Sequence, residues 1–474
     1  MLDRPDKQDG DEAILDDARR RFKRCQDHEA NARQRFIADI KFAEGDSDNL
    51  YQWDKSAYDD RIAARKPALT VNKTRQANLQ ILNDQRQNKS QIRIRPVGDG
   101  ATYKAAQIFE GIVRHIEYQS RAPEAYDSAA YSQIYGGFGF WRITTDYVGD
   151  GSFDQEIFIR RVRDPLSMYL DPDAQEYDKS DARFGFAFID RPRDQAEVEY
   201  GWLKDDVPVR NGIDHNLGWN DTDTVRECEY YRVTEVDDEL MHLRVPEHGL
   251  YHGSPAIEGM QHRSALPVQW NEDLHGHMAM RRRAVKTAKV EWFRIVGDRI
   301  LERNVWPGRY IPAVMVIGEE TVIDGQLDRK GHTRAQKDPQ RIYNYFTSEA
   351  CAYVAGQTKS PWLTSARAVE GHETMWNTAN IETRPYMLWN DTDEQGAPIA
   401  KPERIAPPVS HSAAMEGMRY AQNEMMMASG QYQSQFGENE NAKSGVAIQT
   451  RQRQGDNATY HYIDHLAQGI DLVH

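Results

Sequence analysis

Cysteine is scarce in this chain. Three occur in 474 residues, Cys25, Cys228 and Cys351. Odd in number and far apart, they argue against a disulfide framework or a zinc site, and they fit a reducing cytoplasm. Long apolar runs are missing as well. No stretch approaches the roughly 18 apolar residues of a spanning helix. Mean hydropathy is -0.80 and charged residues make up 28%, so the chain reads as soluble. The opening Met1-Leu2-Asp3-Arg4-Pro5-Asp6-Lys7 has no apolar h-region, and no signal peptide is expected.

Catalytic signatures are also lacking. No Gly-x-x-x-x-Gly-Lys-Ser/Thr loop occurs, which removes a P-loop ATPase, and no Gly-x-Ser-x-Gly elbow is found. Gly136, Gly137 and Gly139 precede an expected strand rather than a helix, the wrong context for a dinucleotide. His28-Glu29 lacks a second histidine one turn on, because Ala32 stands there. His275 and His277, or the scattered His242, His248 and His252, complete no standard metal spacing. No cofactor and no metal are expected, and an enzyme is disfavoured by exhaustion.

The net charge of -14 argues against a surface that grips nucleic acid everywhere. It serves solubility, or it makes a wall past which phosphates slide.

What is present alternates helix and strand. Glu12 to Glu44 places Leu15, Ala18, Phe22, Cys25, Ala32, Phe36 and Ile40 on one helical face. Its basic residues, Arg19 to Arg21 with Lys23 and Arg24, read as a solvated face balanced by Asp16, Asp17 and Asp27. Leu69 to Lys89 reads as a second helix rich in Asn and Gln, poorly suited to a monomer core: either a face for a neighbouring subunit or an ordinary exposed helix. Ile92 to Arg95 alternates like a half-buried strand ended by Pro96. Helices are expected at Ala101 to Tyr118, through Ala105, Ile108, Ile112 and Ile116, and from Pro123 to Tyr135. Strands are expected after the glycines, where Trp141, Ile143 and Thr145 alternate with polar residues, and at Glu156 to Arg163, Phe184 to Asp190 and Arg226 to Thr234. Asn271 to Arg283 reads as a short helix. Lys289 to Ile295, Arg299 to Glu302 and Ile311 to Ile317 read as a small β-rich insertion. A helix is expected from near Gln340 to Gly356, then a long irregular region with Pro385, Pro398, Pro402, Pro407 and Pro408. Ser410 to Ser429 is a methionine-rich helix, read as adaptable packing. A last helix still runs, uncapped, at His474, as though a longer protein continued. The class is α+β with antiparallel strands.

Five blocks stand in fixed order: Lys66 to Arg95; Tyr135-Gly136-Gly137-Phe138-Gly139; Arg163-Asp164-Pro165-Leu166-Ser167 with Asp171-Pro172-Asp173-Ala174 and Ser180-Asp181-Ala182; Trp292-Phe293-Arg294-Ile295 to Pro312 with Lys337 to Asn344; and Lys443-Ser444-Gly445-Val446-Ala447-Ile448. Together they resemble the portal proteins of P22-like, short-tailed phages. The resemblance implies a portal fold: a homo-oligomeric ring of about twelve subunits at one capsid vertex of the virion. Wing, stem, clip and crown surround a channel for double-stranded DNA, without sequence specificity and without a membrane. Implied partners are the terminase large subunit, then the tail adaptor, with the major capsid and scaffolding proteins, assembly taking place in the host cytoplasm. It further implies wing and hip over 1–265, stem and clip over 266–356, channel-facing loops over 357–410, and helical wing and the start of a crown over 411–474, the rest of crown and barrel being absent. Lys337, Arg341, Lys359 and Arg367 are the candidate DNA-channel residues. Arg75, Gln76, Asn83 and Arg86 are the candidate subunit-interface residues.

Two other readings stay open. One is a metal-dependent nucleic-acid enzyme using Asp164, Asp171 and Asp173; the Asp-Pro pairs explain these residues more simply as turns. The other is a monomeric adaptor or scaffold protein of a phage particle.

Overall fold

The computed structural model describes residues 10–87, 93–97, 102–149, 151–201, 224–243, 259–262, 279–357, 361–382, 384–405, 411–430 and 445–473. In chain order its elements begin with helices α1 (Asp11–Ala43), α2 (Lys55–Ala63), α3 (Lys73–Gln87), α4 (Tyr103–Ser120) and α5 (Ala122–Gly136). Strands follow: β1 (Phe138–Tyr147), β2 (Gln155–Arg161), β3 (Met168–Leu170) and β4 (Phe184–Pro192), then helix α6 (Arg193–Glu199). Next come β5 (Thr224–Leu243), β6 (Gly259–His262), β7 (Ala279–Val296), β8 (Arg299–Trp306), β9 (Ala313–Ile317), β10 (Glu319–Ile323) and β11 (Gln326–Lys330). The chain continues through α7 (Thr333–Gln357), β12 (Trp362–Leu363), β13 (Glu403–Arg404), α8 (His411–Ser429) and α9 (Gly445–Val473). The class is α+β, as expected.

α1 is 33 residues long, about 50 Å at 1.5 Å per residue. The expected apolar face is the one it buries: Leu15, Ala18, Phe22, Cys25, Ala32 and Phe36. Its first half lies on an antiparallel sheet ordered β3-β4-β5-β7-β8, with β6 on the end of β5. There Leu15, Phe22 and Cys25 meet Phe184, Phe186, Tyr230, Phe293 and Ile295. Phe22 stands edge-on to Tyr169, Phe186 and Phe188, an arrangement aromatic quadrupoles favour.

The second sheet is ordered β2-β1-β9. α3, α5 and α9 cover it, burying Ile81, Leu82, Tyr126, Ile134, Trp141, Val316, Tyr462, Leu466 and Ile470 together. Two glycines make the junction of α5 and β1 possible. Gly137 takes φ 110, a region that favours glycine. A Cβ on Gly139 would stand 2.1 Å from the Ala129 carbonyl oxygen.

Several expectations are corrected. Residues 93–97 carry no strand, and Ile92 lies outside the described residues; two alternating pairs before a proline are too few to hold a ladder alone. Ala279 to Arg283 belong to β7, not a helix: Arg282 and Arg283 stand opposite Met241 and Leu240 of β5. β7 and β8 are therefore no separate insertion, and a boundary at 265/266 would cut one sheet between paired strands. The helix expected from Gln340 begins at Thr333 and runs through Pro339. Ion pairs from Arg334 and Lys337 to Asp39 fasten that first turn to α1. On α4, Ile108 and Ile112 are exposed within the single chain.

Candidate functional site

The candidate region is a helix pair and what it is rooted in. α7 and α8 pack antiparallel. Ser429 sits at the start of α7, Gly417 against Phe346, and Tyr343 is buried with Ala421 and Met425. Met418 and Met425 of α8 thus serve packing, as expected, whereas Met415 and Met427 are exposed. His332 joins the two helices at that root. Its Nε2 lies 3.0 Å from the Ser429 carbonyl oxygen, and its Nδ1 lies 2.8 Å from Asn78 Oδ1 and 2.7 Å from Gln336 Nε2. Burial pushes its pKa down to about 4, so the ring is neutral at pH 7.

The Lys66-to-Lys73 motif explains itself here. Residues before α3 run extended along α7, and alternate backbone groups are met by α7 side chains four apart. Leu69 N–H donates to Ser348 Oγ at 2.8 Å, Val71 N–H to Asn344 Oδ1 at 3.0 Å, and Lys73 N–H to Gln340 Oε1 at 2.9 Å. Two extended residues advance about 6.6 Å and four helical residues about 6 Å, so the two periods match. Gln340 also accepts from Thr74 N–H and donates to the Val71 carbonyl. Asn72 accepts from Arg75 N–H and donates to the Ala43 and Gly45 carbonyls, which joins the end of α1 to the start of α3. Gln340→Leu is expected to cost about 2 kcal/mol by stranding these groups, measured as a shift in denaturant midpoint.

A buried ionic chain fixes α1 against α7. Arg33 and Arg329 flank Glu29, with Arg329 Nη1 at 2.8 Å; Arg329 also reaches Glu320 at 2.9 Å, and Lys179 reaches Glu320 at 2.8 Å. Arg334 pairs with Asp39 and lies 3.6 Å from Asp328, which also receives Arg35. Burial alone would raise the Glu29 carboxyl, but the Arg329 and Arg33 guanidiniums hold it below the usual carboxylate range.

At the far end of the helix pair, the described residues of 361–405 form an insertion of short strands and helices joined by irregular segments. β12 and β13 pair, and Ile405 N–H donates to the Pro361 carbonyl at 3.0 Å, so the two ends meet. Trp362 and Trp376 stack edge-on at 5.3 Å. Asn390 Nδ2 donates to the Arg367 and Glu370 carbonyls. Asp393 receives Gln395 and Ala397 N–H in a tight turn.

The channel candidates are dispersed. Lys337 is turned inward on Asp39. Arg341 is half exposed, 3.3 Å from Asp338 and over the Phe42 ring. Arg367 is exposed in the insertion, and Lys359 lies outside the described residues. The interface candidates Arg75, Gln76, Asn83 and Arg86 are all exposed on α3, with Arg75 near Glu44 and Arg86 near Asp127. The polar character of α3 is corrected in meaning: its Asn78 is buried within this chain, donating to Thr333 Oγ1 at 2.9 Å, and Thr74 and Gln85 are buried too.

Asp164 receives Leu166 N–H, Asp171 receives Asp173 and Arg183 N–H, and Asp173 pairs with Arg24. All three serve turns or surface pairing. Among the described residues no group of three or more His, Cys, Asp or Glu is placed to hold a metal ion, and no helix is long and apolar enough to cross a membrane.

The family model for the phage P22-like portal protein matches residues 19–473. A portal protein of Acyrthosiphon pisum secondary endosymbiont phage 1 is 27% identical over 351 residues, covering 72% of this chain and 47% of that relative. The chain thus spans about half the length of the curated relative it matches. With the α+β architecture and the ordered blocks, the match settles the family: this chain belongs to the phage P22-like portal proteins.

Proposed function

We propose that copies of this chain form a ring of about twelve at one vertex of a phage capsid. Its central channel passes the genome during packaging and ejection. The family match over residues 19–473 carries the reading. In it, α7 and α8 are the stem, and the insertion of residues 361–405 is the clip, docking the terminase large subunit and later the tail adaptor. Major capsid and scaffolding proteins surround the wing. The outward face of α3, with Arg75, Gln76, Asn83 and Arg86, meets a neighbouring subunit. Duplex DNA must pass without being held, so contacts should be few and sequence-blind. Arg341 and Arg367, with Lys359 and, when released from Asp39, Lys337, are the proposed contacts. The net charge of -14 keeps the remaining wall repulsive to phosphate.

Sedimentation and negative-stain microscopy of the purified chain test the ring. Closed rings with a hole wide enough for duplex DNA are expected. A single-chain mass at every concentration tried overturns the reading.

A further inference from the structure

β5 and β7 pair far beyond the rest of their sheet. β4 accompanies β5 only from Thr224 to Arg232, with one more hydrogen bond from Val233, and β6 returns at Leu240. β8 accompanies β7 only from Val290 onward. Between lies a two-stranded ribbon in which, among the described residues, no strand pairs with the outer edge of Thr234–Glu239 or with that of Ala279–Lys289. Such a ribbon is marginal alone, and its open edges are templates for another strand.

The two edges carry opposite charge. From Thr234 to Glu239 stand Glu235, Asp237, Asp238 and Glu239, with no base. From Ala279 to Lys289 stand Arg281, Arg282, Arg283, Lys286 and Lys289, with no acid. Pairing across the ribbon uses part of this: Lys286 lies 3.4 Å from Glu235. Among the described residues Asp237 and Arg283 make no ion pair. Edges that merely resist aggregation need only repel, which one sign on both would achieve. Opposite signs on opposite edges attract a second copy head to tail.

The geometry points to edge pairing between copies: the acidic β5 edge of one chain adds to the basic β7 edge of the next. The contact is heterologous, the type that closes rings. A rotation of about one-twelfth of a turn leaves strand directions nearly unchanged. β5 of the next copy therefore arrives antiparallel to β7, as β5 of the same copy does, and main-chain hydrogen bonds can continue across the boundary. This inference rests on the ring reading and names one of its contacts.

Charge reversal on the full chain tests it. One variant carries Arg281→Glu, Arg282→Glu and Arg283→Glu, so acids outnumber bases on both its edges; the other carries Asp237→Lys, Asp238→Lys and Glu239→Lys, so bases outnumber acids on both. Each alone is expected to lose the ring species at least tenfold in sedimentation velocity. An equimolar mixture, and a single chain carrying all six changes, should recover it, which a folding defect would not allow. Rings from either variant alone at the unaltered chain's yield overturn the inference and leave the ring reading intact. So does failure of both the mixture and the six-change chain to recover rings, or a basic-edge variant that keeps its ring and loses only retention of duplex DNA. If the unaltered chain forms no ring, both readings fall together.

Discussion

Arg329→Met will lose about 3 kcal/mol of folding stability, the lower end of what breaking a buried ion pair costs. The lower end applies because each carboxylate keeps one base: Arg33 for Glu29, and Lys179 for Glu320. Removing the guanidinium leaves two buried acids with half their compensation, and methionine fills the space without a donor. Chemical denaturation followed by tryptophan fluorescence reads the change; a loss below about 1 kcal/mol would show that water replaces the arginine. The same site sets an acid limit. Glu29 and Glu320 both have folded pKa values below their ordinary ones. Their contribution is therefore complete above the unfolded glutamate value and is lost as pH falls through the lowered folded values. In Arg329→Met that loss is smaller and is finished at higher pH, because the depression of both carboxyls is smaller.

Gly139→Ala will destabilise by about 3 kcal/mol or prevent folding, although it adds one methyl group. The new Cβ would sit 2.1 Å from the Ala129 carbonyl oxygen and 2.7 Å from its carbon. These are backbone atoms of α5, which cannot swing aside as a side-chain tip can. β1 must move away from α5, and Trp141, fully buried two residues on, moves with it. Gly111→Ala is the control. That glycine lies within α4, and a Cβ there meets nothing within 4 Å. It should stabilise by about 0.5–1 kcal/mol through lost unfolded-state freedom. Thermal melts of the two variants should shift in opposite directions.

Sequence and structure agree where one element's own periodicity decides. The apolar face of α1 was legible because its spacing repeats from Leu15 to Ile40, about seven turns, and the glycine turn into β1 because glycines before an alternating run have few other uses. Arg281 to Arg283 misled because three adjacent bases carry no period, and only the partner strand β5 makes them a strand. α3 misled in a different way. Its Asn78 looks unfit for a core until α7 supplies Thr333 and Gln336 opposite it. One signal was readable: Gln336, Gln340, Asn344 and Ser348 form a polar stripe at four-residue spacing, which an exposed helix has no need of. Another was Glu29, an acid on the apolar face between Cys25 and Ala32. A buried carboxylate demands a base, but nothing local says that the base lies 300 residues away.

The meeting of Pro361 with Ile405 gives the tip of the helix pair a modular character. Among the described residues, the strand pairing, the Trp362–Trp376 contact and the Asn390 hydrogen bonds all run within the segment between those two residues. Closing a longer loop costs only about 0.6 kcal/mol per doubling of length. Residues between these two positions can therefore be lengthened or replaced at little cost in folding free energy while the extended segment before α3, the ionic chain and the sheets stay as they are.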